Sequence, residues 1–243
     1  MSAIRFVSHG LTHVGLVRRR NEDAFLDRPE VGLWAVADGM GGHEAGDYAS
    51  ARIVAALSEI APTGDLAAFA NSCEARLRDV DAELRIRAAM LGPAATIAST
   101  VVLLLADESE YICVWAGDSR IYLWRNGELR RLTTDHSRVQ ELVDAGLLAP
   151  ESAASHPHSN IVTCAIGGGR LEFGRVSEAL GPGDRFLLCS DGLTNMMTDP
   201  EIARELSPPA MPAVTAQRLL DLVLARGAHD NVTVVVVATE AAG

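Results

Sequence analysis

The sequence predicts an α+β fold. Apolar, strand-like runs come in clusters joined by short turns, and helical patterns come in adjacent pairs between those clusters. Nowhere does strand alternate regularly with helix, as a βαβ series requires. Short connections make the neighbouring strands antiparallel. The length of 243 residues suits one large-cored domain or two small ones. With no internal repeat or low-complexity linker, residues 1–243 read as a single domain.

The elements follow in order. Residues 4–8 alternate loosely and suit an edge strand, with short strands expected at 24–26 and 32–37. Gly41-Gly42 then breaks the chain. Over 43–60, Ala49, Ile53, Leu57 and Ile60 recur at helical spacing, which predicts one buried helix face, ended by Pro62 and Gly64. Asp65 is placed to cap a second, longer helix whose stripe is Leu66, Phe69, Cys73, Leu77, Val80 and Leu84. Gly92-Pro93 stops it. Three strands are expected in series at 98–106, 110–116 and 120–124, turned by Asp107-Glu108 and Gly117-Asp118. Asn126-Gly127 is a strong hairpin turn before 128–132 and completes an antiparallel meander. Residues 137–145 read as a helix. From 146 to 169 the chain is rich in Pro, His, Ser and Gly without a period, as in a flap or loop. Strands resume at 176–180 and 185–190, an amphipathic helix covers 211–225, and the β-branched run 232–237 reads as a central strand.

Acids stand at the ends of these strands. Two apolar runs, 33–39 and 186–192, each end in an Asp-Gly pair, at Asp38-Gly39 and Asp191-Gly192. Asp118 follows one strand, Asp230 precedes another, and Asn21-Glu22-Asp23 lies beside a third. One Asp-Gly pair is ordinarily a turn; acids at four strand mouths are a pattern that turns do not explain. Carboxylates converging to 4 Å repel by about 4 kcal/mol per pair at an effective dielectric near 20, so a fold that gathers them needs cations. Mg²⁺ and Mn²⁺ take carboxylate, carbonyl and water oxygens, and Gly41-Gly42 lets backbone carbonyls approach a ligand closely. Of Arg18-Arg19-Arg20, at least one reads as a solvated face. A guanidinium beside an acidic metal site would grip an oxyanion such as phosphate with two bonds. No G-x-S-x-G, P-loop or H-E-x-x-H is present, which points to attack by metal-activated water. His9 and His13 lie four apart in a strand-turn region and lack zinc spacing; His156 and His158 read as solvated.

Bulk properties narrow the class. Apolar residues make up 48% of the chain, as in a packed globule. The net charge of −11, from 21 basic and 32 acidic residues, argues against a nucleic-acid binder and against docking on anionic membranes. Cys73, Cys113, Cys164 and Cys189 form no CxxC pair, and a reduced compartment is expected. The first residues lack a signal-peptide apolar run, and no membrane span is legible, so a cytoplasmic protein is expected.

Six motifs in order carry a resemblance: G-x-V-R-x-x-N-E-D (15–23), A-D-G-M-G-G-H (37–43), G-D-S-R (117–120), L-T-x-D-H-S (132–137), S-D-G-L (190–193) and D-N-x-T (230–233). Together they resemble the bacterial metal-dependent serine/threonine protein phosphatases of type 2C, over nearly the whole chain. The stretch 32–47 is similar to the subgroup found with type VI secretion loci. The resemblance implies a central sandwich of two antiparallel sheets flanked by helix pairs, four layers in all, with a binuclear Mn²⁺/Mg²⁺ centre at one end. By motif, Asp38 would bridge two metals, Asp191 and Asp230 would hold the first, and the Gly39 carbonyl would contact the second. Asp23, and less directly Glu22, would serve the second metal through water, with Asn231 supporting the site from behind. Asp118 would hold a third, weaker metal with Asp191. Arg18 matches the phosphate-binding arginine, and 137–169 the variable flap. Met40 stands where eukaryotic members carry a histidine, so the leaving-group acid is open, with His43 or water as candidates. Cys164 stands where many bacterial relatives carry arginine. The implied function is hydrolysis of phosphoserine and phosphothreonine on protein substrates, opposing a serine/threonine kinase, by a monomer. Alternatives are a pseudophosphatase binding module and a small-metabolite phosphatase.

Overall fold

The computed structural model describes residues 4–41, 45–153 and 156–241. In chain order the strands are β1 (Ile4–His13), β2 (Asp23–Arg28), β3 (Leu33–Gly41), β4 (Ile97–Ser99), β5 (Val101–Ala106), β6 (Glu110–Ala116), β7 (Arg120–Arg125), β8 (Glu128–Arg131), β9 (Gly174–Ala179), β10 (Arg185–Cys189) and β11 (Val232–Ala241). The helices are α1 (Ala45–Ser58), α2 (Leu66–Leu91), α3 (Arg138–Asp144), α4 (Asp191–Thr194), α5 (Asp199–Leu206) and α6 (Pro212–Ala225). One antiparallel sheet has the order β1-β11-β10-β7-β8; the other runs β2-β3-β5-β6-β9, with β4 paired to β3.

The side-chain period of two sorts each strand between layers. On β3, Leu33, Ala35 and Ala37 pack with α1 and α2, whereas Trp34 and Val36 enter the space between the sheets. On β11, Val232, Val234 and Val236 pack with α6, and Val235 and Val237 face inward to Phe186, Leu188 and Trp34. Strands covered on both faces read as continuous apolar runs, which is why 33–37 and 232–237 carry no polar alternation. The result is helix pair, sheet, sheet, helix pair. Local chemistry sets the helix starts: Asp65 accepts the Ala68 N–H at 2.8 Å, and Ser137 accepts that of Gln140 at 3.3 Å.

The elements differ from expectation in instructive places. The expected strand 98–106 is split by Thr100 into β4 and β5. The meander is not one sheet: β6 belongs to one and β7 to the other, so Gly117-Asp118-Ser119 crosses between sheets. Gly117 makes that crossover with φ +117°, where a Cβ would strike the Thr100 side chain at 2.5 Å. Segment 191–206 carries α4 and α5, for which no helix is expected from periodicity. One turn is too short to show a period, and α5 starts instead on a capping box between Thr198 and Glu201. The expected helix 43–60 begins outside the described residues and ends at Ser58. Between 146 and 169 the chain is held to the body by bridges Ser137↔Val162 and Ser99↔Ile166. All four cysteines are buried and unpaired with one another.

Candidate metal centre

The pleat carries Asp38 onto the same face of β3 as Trp34 and Val36, so the carboxyl lies at the end of the layer between the sheets. Register places Asp23 of β2 directly opposite it. Cross-strand neighbours have Cβ atoms about 5 Å apart, a separation at which two carboxylates repel by roughly 3 kcal/mol at an effective dielectric near 20. Around them a cleft of about 300 Å³ is lined by Arg18, Glu22, Asp38, Gly39, Asp118, Asp191, Asp230 and Asn231, together with Met40 and Thr100. The crossover between β6 and β7 brings Asp118, the start of α4 brings Asp191, and the residue pair before β11 brings Asp230 and Asn231.

Both Asp-Gly glycines are required, and neither serves as a left-handed turn. A Cβ on Gly39 would lie 2.0 Å from the Gly46 carbonyl oxygen, and one on Gly192 would lie 1.9 Å from that of Asn231. Glycine here permits close packing of backbones that fix the adjacent aspartates.

A framework of neutral donors and acceptors holds the acids. Asp38 N–H donates to Thr100 Oγ1 at 3.2 Å, and Thr100 N–H donates to the Asp38 carbonyl at 2.9 Å. Thr100 Oγ1 also lies 2.7 Å from Ser119 Oγ, which ties the Asp38 strand to the Asp118 crossover. Asp23 Oδ2 accepts from Ser190 at 2.8 Å and from Thr233 at 2.7 Å. Asn195 donates to Asp191 Oδ2 at 3.1 Å. Asn231 accepts the Glu22 N–H and donates to the carbonyls of Val14 and Arg20, so it braces the loop that carries Arg18. Arg18 Nη2 sits 2.7 Å from Asp230 Oδ2. The motif arginine Arg120 grips Asp135 with Nε at 3.0 Å and Nη2 at 2.7 Å, which joins the G-D-S-R and L-T-x-D-H-S motifs away from the acids.

Electrostatics records the crowding. Burial, more than any neighbour, drives the Asp38 carboxyl well above its ordinary range; the charges of Asp23, Asp191, Asp118 and Asp230 add to it. Asp23 is pushed to about 7 by burial, against the pull of the Thr233 and Ser190 hydroxyls. Asp118 also reaches about 7, through burial and then the charge of Asp191. Asp191 is raised by burial and by Asp230, and Glu22 by burial and by Asp47.

Most of the expected residues meet at this cleft. Asp23 does not line it: buried, it stands directly across β2–β3 from Asp38 on the same face, while Glu22 lines the cleft itself. Asp23 Oδ1 is buried without a hydrogen-bond partner among the described residues. That orphaned oxygen and the carboxylate-rich wall fit a hard divalent cation. Among the described residues no three His, Cys, Asp or Glu side chains are already drawn into a closed cage; Arg18 and the two hydroxyls hold oxygens of Asp230 and Asp23 instead. His9, His13 and His156 do not line the cleft, and His43 lies outside the described residues. The reading of acids alone passed over Thr100, Ser119, Ser190, Thr233 and Asn195. Ser119, Ser190 and Thr233 stand inside the quoted motifs, but Thr100 and Asn195 carry no local signal.

Comparison with known proteins places the chain in a family. The family model described as Protein phosphatase 2C matches residues 17–226. The serine/threonine protein phosphatase PstP of Mycobacterium tuberculosis is 40% identical over 225 residues, which cover 91% of this chain and 43% of PstP. The chain therefore spans less than half the length of that relative. The solved structure of PppA, described as a key regulatory component of T6SS in Pseudomonas aeruginosa, superposes with a TM-score of 0.91 at 42% identity, covering 99% of this chain and 100% of PppA. The catalytic domain of PstP in complex with 2 manganese ions superposes with a TM-score of 0.85 at 36% identity, over 97% and 99% of the two chains. On the match to the family model and these identities, the chain belongs to the protein phosphatase 2C family.

Proposed function

We propose that the chain is a Mn²⁺- or Mg²⁺-dependent protein serine/threonine phosphatase that hydrolyses phosphoserine and phosphothreonine esters with water as nucleophile. The observation that carries this reading is the convergence of Glu22, Asp38, Asp118, Asp191 and Asp230 on one cleft whose cationic wall is Arg18. The manganese-bound catalytic domain of PstP supports the choice of cation.

Asp38, Asp191 and Asp230, with Glu22 and the Gly39 carbonyl, are the groups that would hold two cations, with Asp23 Oδ1, unpartnered among the described residues, serving the second through water, and Asp118 with Asp191 a third. When bound, Mn²⁺ or Mg²⁺ lowers the pKa of water and offsets charge on the phosphoryl oxygens. Arg18 binds two phosphoryl oxygens through its planar fork and orients the ester. Its release from Asp230 is favoured once that carboxylate has another cation. The described lining of the cleft holds no cysteine, histidine or lysine. Its one hydroxyl, on Thr100, is committed to Asp38 and Ser119. The remaining side-chain nucleophiles are the carboxylates, which this reading gives to the cations, so water is left as the nucleophile. Met40 offers no proton to the leaving alkoxide.

Retention of the acids speaks against a binding-only role. Continuation of the cleft into a second groove of about 490 Å³ gives room beyond a small metabolite. The reading makes phosphorylated proteins the substrates and a serine/threonine kinase the opposing partner. Likeness to PppA supports a type VI secretion setting. A monomeric cytoplasmic enzyme, one catalytic domain over 1–243 with its flap at 137–169, fits this reading; among the described residues no helix is long and apolar enough to cross a membrane. The test is hydrolysis of a phosphothreonine peptide with and without Mn²⁺. Activity appears only with the cation, and Asp38→Ala and Asp191→Ala abolish it. Full activity in excess EDTA, or in either variant, overturns the assignment.

A further inference from the structure

The second groove shares Asp118, Asn160, Asp191 and Asn195 with the cleft, so the two are continuous. Away from Asp118 and Asp191, its charged lining consists of Arg120, Arg131 and Asp135, two cations facing one anion. Arg120 holds both oxygens of that anion, with Nε at 3.0 Å and Nη2 at 2.7 Å. Arg131 reaches the same Oδ2 only at 3.8 Å, beyond hydrogen-bond distance. Asp199 accepts from the Tyr122 hydroxyl at 3.1 Å and does not line the groove. The groove therefore carries one guanidinium held only loosely, in a chain whose net charge is −11. Its side chain is 33% exposed, enough to reach a ligand yet partly shielded from water. Val139, Val143 and Pro150 give the adjoining wall an apolar surface suited to aliphatic stems.

We propose that this groove receives the polypeptide flanking the phosphorylated residue and that Arg131 selects an acidic side chain there. The proposal rests on the phosphatase reading and adds to it a substrate class: phosphoproteins with an aspartate or glutamate near the phosphorylated position. Continuity with the cleft makes the occupant part of the same substrate, and the unmatched charge makes it anionic. A partly shielded guanidinium–carboxylate pair strengthens binding without touching the reacting atoms, so its effect belongs in KM.

The experiment compares Mn²⁺-dependent kcat/KM on a phosphothreonine peptide with neutral flanks and on variants carrying one aspartate, placed in turn at each position within three residues of the phosphothreonine. At one or more positions aspartate raises kcat/KM about twofold to fivefold, through KM. Arg131→Gln removes that preference, and Arg131→Glu reverses it in favour of a lysine at the same position. Equal rates on all flanks in the unaltered protein, or a preference that survives Arg131→Gln, overturns the proposal. Failure to hydrolyse even the neutral peptide instead overturns the phosphatase reading, and this inference with it.

Discussion

Arg18 has two partners in prospect and one in hand. Its guanidinium lies on Asp230, and that hydrogen bond, more than any other neighbour, holds its pKa above the ordinary arginine value. The pair is open to solvent, at 55% and 36% side-chain exposure, so it contributes less than about 1 kcal/mol to folding. On the proposed reading the same side chain, aimed at a phosphoryl group, would donate two charge-assisted bonds where negative charge is concentrated. These roles predict a split. Arg18→Ala lowers kcat/KM on phosphopeptides on the order of 100-fold, while the urea midpoint hardly moves. Arg18→Lys recovers only part of the loss, because an ammonium cannot make the planar double contact. Kinetics on both variants beside urea unfolding checks this; an unchanged kcat/KM in Arg18→Ala removes the arginine from phosphate binding.

At the scale of elements, the junction from β10 to α4 shows what a sequence can and cannot disclose. The apolar run before Asp191 announces a buried strand, and the Asp-Gly pair announces a special backbone. The reason for the glycine lies in a contact distant in the chain, the Asn231 carbonyl oxygen 1.9 Å from where a Cβ would sit. Gly192→Ala must therefore push apart the two segments that carry Asp191 and Asp230. It should destabilise the protein by about 1–3 kcal/mol, as overpacking does, and weaken Mn²⁺ binding as well. Urea unfolding and calorimetric titration with Mn²⁺ measure the two effects, and a variant with unchanged stability and affinity refutes the contact. The strand ends were legible because continuous apolar runs and acids at their ends are local patterns. Thr100 was not legible: nothing near it in sequence says that it receives the Asp38 N–H. Nor was the sheet change at Gly117-Asp118-Ser119, because a tight turn within one sheet and a crossover between two have the same local signature. Glu22 and Asp23 show the same limit. Both are acids at the start of β2, and nothing local says that Glu22 lines the cleft while Asp23 is buried opposite Asp38.

For the whole molecule, the acid cluster makes the cation part of the folding balance. Asp23 and Asp118 have folded pKa values of about 7 against ordinary values near 3.8, and Asp38 and Asp191 are raised as well. Between those limits the folded chain holds more protons than the unfolded one. Without metal, stability is therefore greatest below about pH 4 on this account and is lost as pH rises through about 7. Other acids work oppositely, but at lower pH: Glu201, held down to about 2 by Arg226, and Glu83, lowered by Arg52, have finished titrating before pH 5.5. His136, whose partial burial lowers its pKa, also favours the folded state as pH rises. A divalent cation binds the ionised carboxylates, so it must displace the protons they retain. Melting temperatures in Mn²⁺ and in EDTA should thus diverge as pH rises from 5.5 to 7.5, and Mn²⁺ binding should release more protons at pH 6 than at pH 8. The difference between the two conditions cancels Glu201, Glu83 and His136, which lie away from the cleft, and leaves the cluster. Calorimetry in buffers of different ionisation enthalpy counts the protons. A gap that narrows with rising pH, or proton release that is equal at both values, contradicts an acid cluster held protonated until a cation arrives.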